Sequence, residues 1–391
     1  MYKRLDLRGG TEKVFYQTAL GLRDRGHVVH LFCQRFRVPP PPGVIAHRVP
    51  SLSWPRTARL LTFGLCAPLI IRSYDCDLVI SFDRLIRQDI YRSGGGPHKV
   101  FLTKMKLSRG RWKSLWYRVS PYHRLALFIE RRQLGDGSRR VIAVCEQSKR
   151  EFMQAYGIEE KKIVVILNGV DLERFHPRRR SEFGGGIRRE LGIRPDARVV
   201  LFVGTGFRRK GLDRLLRIWR EPSPSDSYLL VVGKDARLSA YRAAWHDNPH
   251  VIFVGAKPNV EDYCAAADVL VLPSVQEAFG NVVVEALAAG LPVITVAGVG
   301  SFDKVEGELR TGILQDPDDA GELREKLAYF LNPTRWPSLS RQARQIAEQY
   351  SWNAYYQNLD ETLLRVYEEA YPPVVADKAS LQSLSQIPPT R

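Results

Sequence analysis

The second half of the chain alternates short apolar runs with helical stretches, and this alternation constrains the fold more than any other feature of the sequence. Glycine or proline bounds the apolar runs, which are residues 199–203, 228–232, 251–254, 269–272 and 292–296. The stretches between them have helical spacing, and they are residues 212–220, 238–246, 260–266 and 282–289. Because strands buried on both faces have continuous apolar sequences, the pattern predicts βαβ units in a doubly wound α/β domain with a parallel sheet.

The first half shows the same alternation less regularly. Its predicted strands are residues 28–32, 78–81, 141–144 and 163–167, and its predicted helices are residues 12–25 and 149–155. Gly26 follows the first of these helices, as glycine commonly follows a helix end. A length of 391 residues fits two domains of ordinary size.

Composition shifts indicate where the domains meet. Residues 168–198 are rich in Gly, Pro and Arg and are expected to form an interdomain linker. The Ser-, Gln- and Pro-rich C-terminus is expected to be disordered. The predicted organisation, in chain order, is an N-terminal domain, a linker, a C-terminal domain, a final helix that packs back on the N-terminal domain, and a tail: residues 1–167, 168–198, 199–350, 351–373 and 374–391.

The beginning of the chain departs from the expected pattern. A doubly wound domain opens with an apolar strand that leads into its first glycine turn, here Gly9-Gly10. Residues 1–7 are short and charged, and they are a poor sequence for a central strand. The sequence therefore predicts that the first strand is missing or truncated, with the true start codon several residues upstream.

The overall charge is strongly basic, with 59 Lys and Arg residues against 42 Asp and Glu residues and a net charge of +17. Such a balance favours an anionic partner, which can be a nucleic acid, an anionic membrane face or a phosphorylated substrate. The five cysteines are scattered and match neither a disulfide framework nor a zinc site. The longest apolar run, residues 60–71, is too short to span a bilayer. We expect a cytoplasmic protein with peripheral membrane contact.

The most informative motif extends from Glu277 to Glu285, across a predicted strand–loop–helix junction. Ligands of doubly wound sheets bind at the carboxyl ends of strands. Gly280 allows close approach of the backbone, Asn281 is a good helix N-cap, and the N–H groups of a helix N-terminus suit a diphosphate. Glu285, one turn into the helix, is placed to accept hydrogen bonds from ribose hydroxyls, and Glu277 from sugar hydroxyls. The alternatives are two ordinary surface acids or a glycosidase carboxylate pair, but neither explains the glycine turn and the helix N-terminus.

A second glycine-containing turn follows the strand at residues 199–203. Gly204 and Gly206 give a tight turn, and Arg209 and Lys210 supply adjacent positive charge. The turn is neither a dinucleotide fingerprint nor a Walker motif. Two cations beside a diphosphate would stabilise the charge that develops as a nucleotide leaves. The alternative is a solvated basic loop.

With these motifs the chain resembles the retaining GT-B glycosyltransferases of family 4, whose signature includes two glutamates separated by seven residues. Within the family it is most similar to the enzymes that add the first glucose to the heptose of the lipopolysaccharide inner core. The similarity extends over nearly the whole chain, and it includes Gly9-Gly10, Arg25-Gly26-His27-Val28, Asp89-Ile90-Tyr91, Arg209-Lys210-Gly211-Leu212-Asp213 and Ala266-Ala267-Asp268.

The resemblance implies two Rossmann-like domains that face a central cleft, and transfer of a hexose from a nucleotide sugar, UDP-glucose, to a lipid-linked saccharide. It implies a front-face mechanism with retained configuration and without a metal ion or other cofactor, because fixed cations replace the metal. Asp89 would lie on the acceptor side. The donor diphosphate, sugar and ribose would contact Gly10, Gly204, Arg209, Lys210, Glu277, Gly280, Asn281 and Glu285. The alternatives are a family-4 enzyme with another sugar and acceptor, a GT-B sugar-nucleotide epimerase, and a basic nucleic-acid-binding protein.

The stretch from Lys99 to Arg132 contains ten basic residues interleaved with Trp and Tyr, and Glu130 is its single acid. This composition is typical of an interfacial membrane segment, although basic and aromatic residues also bind single-stranded nucleic acid. The resemblance favours the membrane, because the matching region of the family contacts the anionic inner leaflet. We therefore predict an anionic membrane surface as a partner, and no nucleic acid.

Overall fold

The computed structural model describes residues 1–7, 9–109, 119–220 and 227–372, without the side chains of residues 106–109. The sequence-predicted tail and the middle of the basic stretch, which includes Trp112 and Trp116, lie outside the described residues. In the N-terminal half the strands are β1 (Tyr2–Leu5), β2 (His30–Phe36), β3 (Ile45–Arg48), β4 (Ile80–Ser81), β5 (Ile90–Arg92), β6 (Arg140–Ala143) and β7 (Ile163–Val165). The helices of this half are α1 (Gly10–Asp24), α2 (Arg56–Ile71), α3 (His98–Arg109), α4 (Pro121–Leu134) and α5 (Glu146–Tyr156).

The strands of this half are parallel and form two ladders, β1-β2-β3 and β4-β5-β6-β7. Met1 connects the ladders, because its amino group donates to Ile80 O at 2.6 Å and its carbonyl accepts from Phe82 N at 2.9 Å. Strand β1 therefore lies between β2 and β4, at the centre of the half.

The first strand is therefore present, so the prediction that it is missing is wrong, whereas a start codon upstream stays a prediction. Tyr2 and Leu5 are buried in the core, and the two charged residues between them have partners. Lys3 lies 3.3 Å from Asp83 and Arg4 lies 3.9 Å from Asp6. The short strand is accommodated here because Tyr2 and Leu5 are buried, while the charged side chains of Lys3 and Arg4 stay partly exposed beside carboxylates.

The C-terminal half has the fold that the apolar runs predict. Six parallel strands are ordered β10-β9-β8-β11-β12-β13. The strands are β8 (Arg198–Thr205), β9 (Ser227–Lys234), β10 (Val251–Gly255), β11 (Val269–Leu272), β12 (Val293–Val296) and β13 (Ile313–Leu314). The order reverses between β8 and β11, and in doubly wound sheets the crevice at this point binds ligands.

The helices of the C-terminal half cover both faces of this sheet. They are α6 (Gly185–Glu190), α7 (Leu212–Arg217), α8 (Leu238–Ala244), α9 (Val260–Ala266), α10 (Asn281–Ala288), α11 (Ala320–Phe330) and α12 (Trp336–Glu348), followed by α13 (Trp352–Ala370). Asp319 and Ser351 cap the N-termini of α11 and α13 with side-chain hydrogen bonds, as is typical of these residue types.

Residues 168–198 form packed structure rather than a free linker, which corrects the sequence-based interpretation. They contain a π-helical turn, Arg180–Gly184, and helix α6. Arg180 and Arg188 both bind the carboxylate of Asp268, at 2.6 and 2.9 Å. Asp268 is 1% exposed, so this segment is fixed to the C-terminal half.

The chain crosses between the halves twice, and the two crossings are adjacent. Val170 forms a parallel bridge with Ser351, and its N–H donates to Tyr350 O at 2.8 Å. After the second crossing, α13 lies against α1, where its buried residues join the N-terminal hydrophobic cluster: Tyr355, Leu359, Leu363 and Val366. Within the described residues, no helix is long and apolar enough to cross a membrane.

Candidate active site

A cleft between the halves gathers the carboxyl ends of four strands. The turns after β1, β5, β8 and β11 all border it, and its volume is about 480 Å³. All but one of the sequence-predicted site residues line this cavity, namely Gly10, Gly204, Arg209, Lys210, Glu277, Gly280, Asn281 and Glu285. Residues far apart in sequence thus meet at the edge of the sheets where the topology predicts a ligand.

The two loops of the C-terminal half are held together by the predicted cations. Lys210 is 9% exposed, and its ammonium group forms an ion pair with Glu277. Arg209 donates to Gln276 O at 3.4 Å, and its own carbonyl accepts from Val275 N at 2.9 Å. The cations therefore lie against the loop that carries Glu277, at the end of the cavity nearest the turn after β8.

Helix α10 begins at the cleft with Gly280 as its N-cap residue. Gly280 has φ +82°, a left-handed conformation that favours glycine, and a Cβ there would lie 2.7 Å from Val299 Cγ1. As a glycine, the N-cap residue supplies no side-chain hydrogen bond to this helix. The expectation that Asn281 is the N-cap is wrong, because Asn281 is the first helical residue and its side chain contacts Asn168 instead. The N-terminal N–H groups thus receive no hydrogen bond from an N-cap side chain, and the helix end borders the cavity.

Glu285 lies one turn into α10, where it meets the N-terminal half. Its Oε1 is 3.5 Å from Lys13 Nζ on α1. Burial raises the pKa of Glu285 above the usual glutamate value, although Lys13 and Arg174 oppose this shift. A carboxylate with few protein donors in a buried position retains free capacity to accept hydrogen bonds from a hydroxyl-bearing ligand.

Three residues that the sequence interpretation missed also line the cleft: Lys13, Arg92 and Asn168. Arg92, at the end of β5, is 1% exposed and donates to Asn168 Oδ1. Asn168 Nδ2 in turn donates to Asn281 Oδ1 at 2.7 Å. This chain of side chains connects β5, the first crossing and α10. The three glycines that follow Ser93, residues 94–96, are the sequence signal that could have identified this wall, since they lie just beyond the carboxyl end of a strand.

Asp89 does not reach the cleft, so its predicted acceptor-side role is corrected. It precedes β5 and lies at the amino end of the strand, whereas the cleft lies at the carboxyl ends. Its carboxylate accepts from Val79 N at 2.9 Å and lies 3.6 Å from Arg139 Nε. These contacts fix the connection between β4 and β5, which is a structural role.

The stretch from Lys99 to Arg132 is described at its two ends, in α3 and α4. The outer face of α4 exposes Arg124, Phe128, Arg131 and Arg132. Glu130, the single acid of the stretch, is buried, and it accepts hydrogen bonds from the His98 N–H. The described exposed face of α4 is thus basic and apolar, without an acid.

The described residues contain no group of three or more His, Cys, Asp or Glu side chains that could hold a metal ion.

Two Rossmann-like domains around a cleft with a basic wall are the architecture of the GT-B glycosyltransferases. Two family models match the chain, Glycosyltransferase Family 4 over residues 8–174 and Glycosyl transferases group 1 over residues 186–350. The chain belongs to these glycosyltransferases, and the family and fold inferred from the sequence are confirmed.

Individual relatives and solved structures match the chain over most of its length. The lipopolysaccharide glucosyltransferase WaaG of Escherichia coli is 25% identical over 353 residues, which are 88% of this chain and 92% of WaaG. A crystal structure of WaaG superposes with a TM-score of 0.78 at 23% identity, covering 92% of this chain and 98% of that chain. HepE from Anabaena in complex with UDP-glucose superposes with a TM-score of 0.68 at 20% identity, covering 93% and 99%.

Proposed function

We propose that this protein is a retaining hexosyltransferase that transfers glucose from UDP-glucose to a lipid-linked saccharide, such as the heptose of a lipopolysaccharide inner core. The observation that carries the proposal is the single cavity that unites Arg209 and Lys210, the N-terminus of α10 and Glu285. A nucleotide sugar needs these three features together, since it presents a diphosphate, a ribose and a sugar. WaaG, a lipopolysaccharide glucosyltransferase, supports the sugar and acceptor, and HepE, solved with UDP-glucose, supports the donor.

In the proposed donor complex, the diphosphate lies between the cations and the end of α10. Lys210 exchanges its contact with Glu277 for the phosphate oxygens, which frees Glu277 to accept hydrogen bonds from the sugar. Glu285 accepts hydrogen bonds from the ribose hydroxyls. The fixed cations and the helix N-terminus stabilise the charge that develops on the leaving diphosphate, so no metal ion is required.

The proposed chemical step takes place on one face of the sugar. The bond between the sugar C1 and the diphosphate oxygen breaks, and the acceptor oxygen bonds to C1 from the same face. The acceptor proton passes to the departing phosphate, so no carboxylate acts as nucleophile or base. Closure of the two halves would align donor and acceptor and exclude water that would otherwise hydrolyse the donor.

The acceptor-side proposal includes attachment to the inner face of the cytoplasmic membrane. The exposed face of α4 combines Phe128 with Arg124, Arg131 and Arg132, which suits an anionic bilayer surface. Vesicle co-sedimentation tests this part separately: binding is expected to rise with the anionic lipid fraction. Equal binding to neutral vesicles would contradict it.

A calorimetric screen of UDP-, GDP- and ADP-sugars tests the donor. We expect binding of UDP-glucose to the wild type and a loss of at least tenfold in affinity for Glu285→Ala. Glu325→Ala removes an exposed carboxylate on α11 and is the matched control with unchanged affinity. Failure of every nucleotide sugar to bind would overturn the proposal, and salt-sensitive oligonucleotide binding without UDP affinity would favour a nucleic-acid-binding protein. Product NMR tests retention, and activity in EDTA tests metal independence.

A further inference from the structure

A second concavity, of about 750 Å³, lies beside the donor cleft and is used by no part of the proposed donor complex except Arg209, which borders both. Tyr241 and Trp245 are mostly buried and form part of its wall. Met105 of α3 lines it from the N-terminal half. We call it the arginine concavity, because six of its lining residues are Arg208, Arg209, Arg214, Arg217, Arg220 and Arg237.

Two aspartates line the same space and neutralise only part of this charge. Asp318 binds Arg214 through two hydrogen bonds of 3.0 and 2.8 Å, and it binds Arg217 at 2.6 Å. Asp213 accepts a hydrogen bond from the Tyr241 hydroxyl at 2.6 Å. Asp318 therefore fixes two of the guanidinium groups in place.

The other four arginines of the concavity have no carboxylate partner within the described part of the chain, and three of them, Arg208, Arg220 and Arg237, do not border the donor cleft. Arg220 lies over the Trp245 ring at 5.7 Å and Arg237 lies over the Tyr241 ring at 5.5 Å, while Arg208 is exposed at the turn after β8. The aromatic rings orient two of these side chains along the wall without consuming their charge. An excess of guanidinium groups around one concave surface is matched by a ligand that supplies negative charge.

We propose that the arginine concavity is a binding site for phosphate groups of the molecule that approaches the donor cleft. Guanidinium groups bind phosphate oxygens in a planar, bidentate geometry. Because Arg209 lies between the two spaces and Met105 closes the concavity from the N-terminal half, a phosphate bound here is adjacent to the donor. The site thus suits a phosphorylated saccharide or lipid acceptor, an assignment that rests on the proposed transferase function.

Pyrophosphate is the probe, titrated calorimetrically into protein saturated with UDP so that the donor site is occupied. The site variant R208A/R220A/R237A removes the three arginines that lack a carboxylate partner and do not border the donor cleft. The control variant R87A/R341A/R365A removes three exposed arginines elsewhere and has the same net charge. We expect pyrophosphate affinity at least tenfold lower in the site variant and unchanged in the control. Equal affinity in both variants, or no binding to the UDP-saturated wild type, would overturn the proposal.

Two further arms identify the source of the phosphate. If the affinity for a soluble hexose 6-phosphate falls only in the site variant, the phosphate belongs to a saccharide. Co-sedimentation with vesicles containing phosphatidic acid that weakens only in the site variant indicates a lipid headgroup. UDP binding is also measured separately in the wild type and in each variant. A wild type that binds no UDP would contradict the donor assignment. The difference in pyrophosphate affinity between the site variant and the control would still test the concavity.

Discussion

Glu285 is a residue at which ligand binding and stability oppose each other. Burial raises its pKa, so the folded protein binds this proton more tightly than the unfolded chain does. Its contribution to stability therefore falls as pH rises from the usual glutamate pKa through the raised value. Glu285→Gln removes the buried charge at nearly constant shape. At neutral pH we expect Tm to increase by about 2–4 °C, as for about 1 kcal/mol in a domain of about 150–250 residues, with weaker UDP-glucose binding. Calorimetry measures both, and equal changes in the exposed-site control Glu325→Gln would contradict this account.

The same raised pKa predicts a pH dependence of donor binding. The ionised carboxylate accepts hydrogen bonds from two ribose hydroxyls, whereas the protonated group accepts less well. UDP-glucose affinity should therefore fall as pH decreases through the raised pKa of Glu285, at a higher pH than an ordinary glutamate would give. UDP-glucose is the suitable ligand because its diphosphate diester does not titrate in this range. Affinity of Glu285→Gln should be flat across the same titration, and an acid limb that persists in this variant would assign the effect to another group.

At the scale of elements, the entry into α10 determines how a ligand meets the helix. Gly280 has φ +82°, and a Cβ there would lie 2.7 Å from Val299 Cγ1 and 3.1 Å from Ser301 Oγ. Gly280→Ala should shift the start of α10 and reduce UDP-glucose affinity at least tenfold. Gly157→Ala is the matched control, because Gly157 has φ +66° with nothing within 4 Å. The control should lose about 1–2 kcal/mol of stability from left-handed strain alone, with normal binding. Urea denaturation and calorimetry distinguish the two, and wild-type affinity in Gly280→Ala would refute this role.

The elements of the C-terminal half were predictable because their strands are buried on both faces. Such strands appear in the sequence as continuous apolar runs. Strand β1 was not predictable, since its inner positions are Lys3 and Arg4, and their carboxylate partners Asp83 and Asp6 become visible only in the folded chain. Local motifs on the loops after β8 and β11 predicted residues that the structure brings together in the cleft. Lys13 and Asn168 were missed because each reaches the cleft through topology and neither is part of a local motif.

Asp89 illustrates the opposite error. A motif match placed it near the acceptor, yet it precedes β5, and in a parallel sheet the two ends of a strand lie at opposite edges. Strand β5 was not among the predicted strands, so the strand direction that excludes Asp89 from the cleft became visible only in the structure. The packing of residues 168–198 was not predictable either, because Gly-, Pro- and Arg-rich sequence resembles a linker until Asp268 is known to bind two of its arginines.

At the scale of the whole molecule, the chain crosses between the two halves twice, and the two crossings are adjacent. Helix α13 follows the C-terminal half in sequence but belongs to the hydrophobic cluster of the N-terminal half. The side chains of Arg92, Asn168 and Asn281 form a hydrogen-bonded chain beside the first crossing. The bridge between Val170 and Ser351 thus holds the two crossings together at one place between the halves.

Because α13 packs on the N-terminal half, the structure predicts which half each core substitution destabilises. Leu359 on α13 is 1% exposed in the N-terminal cluster, and Leu339 on α12 is fully buried in the C-terminal cluster. Replacing either with alanine should cost about 2–5 kcal/mol. Amide hydrogen exchange should increase in β1, β2 and α1 for Leu359→Ala, and in β8, β11 and α10 for Leu339→Ala. If Leu359→Ala increased exchange in β8 and β11 equally, the halves would unfold as one unit. α13 would then couple the stabilities of the two halves as well as connecting them.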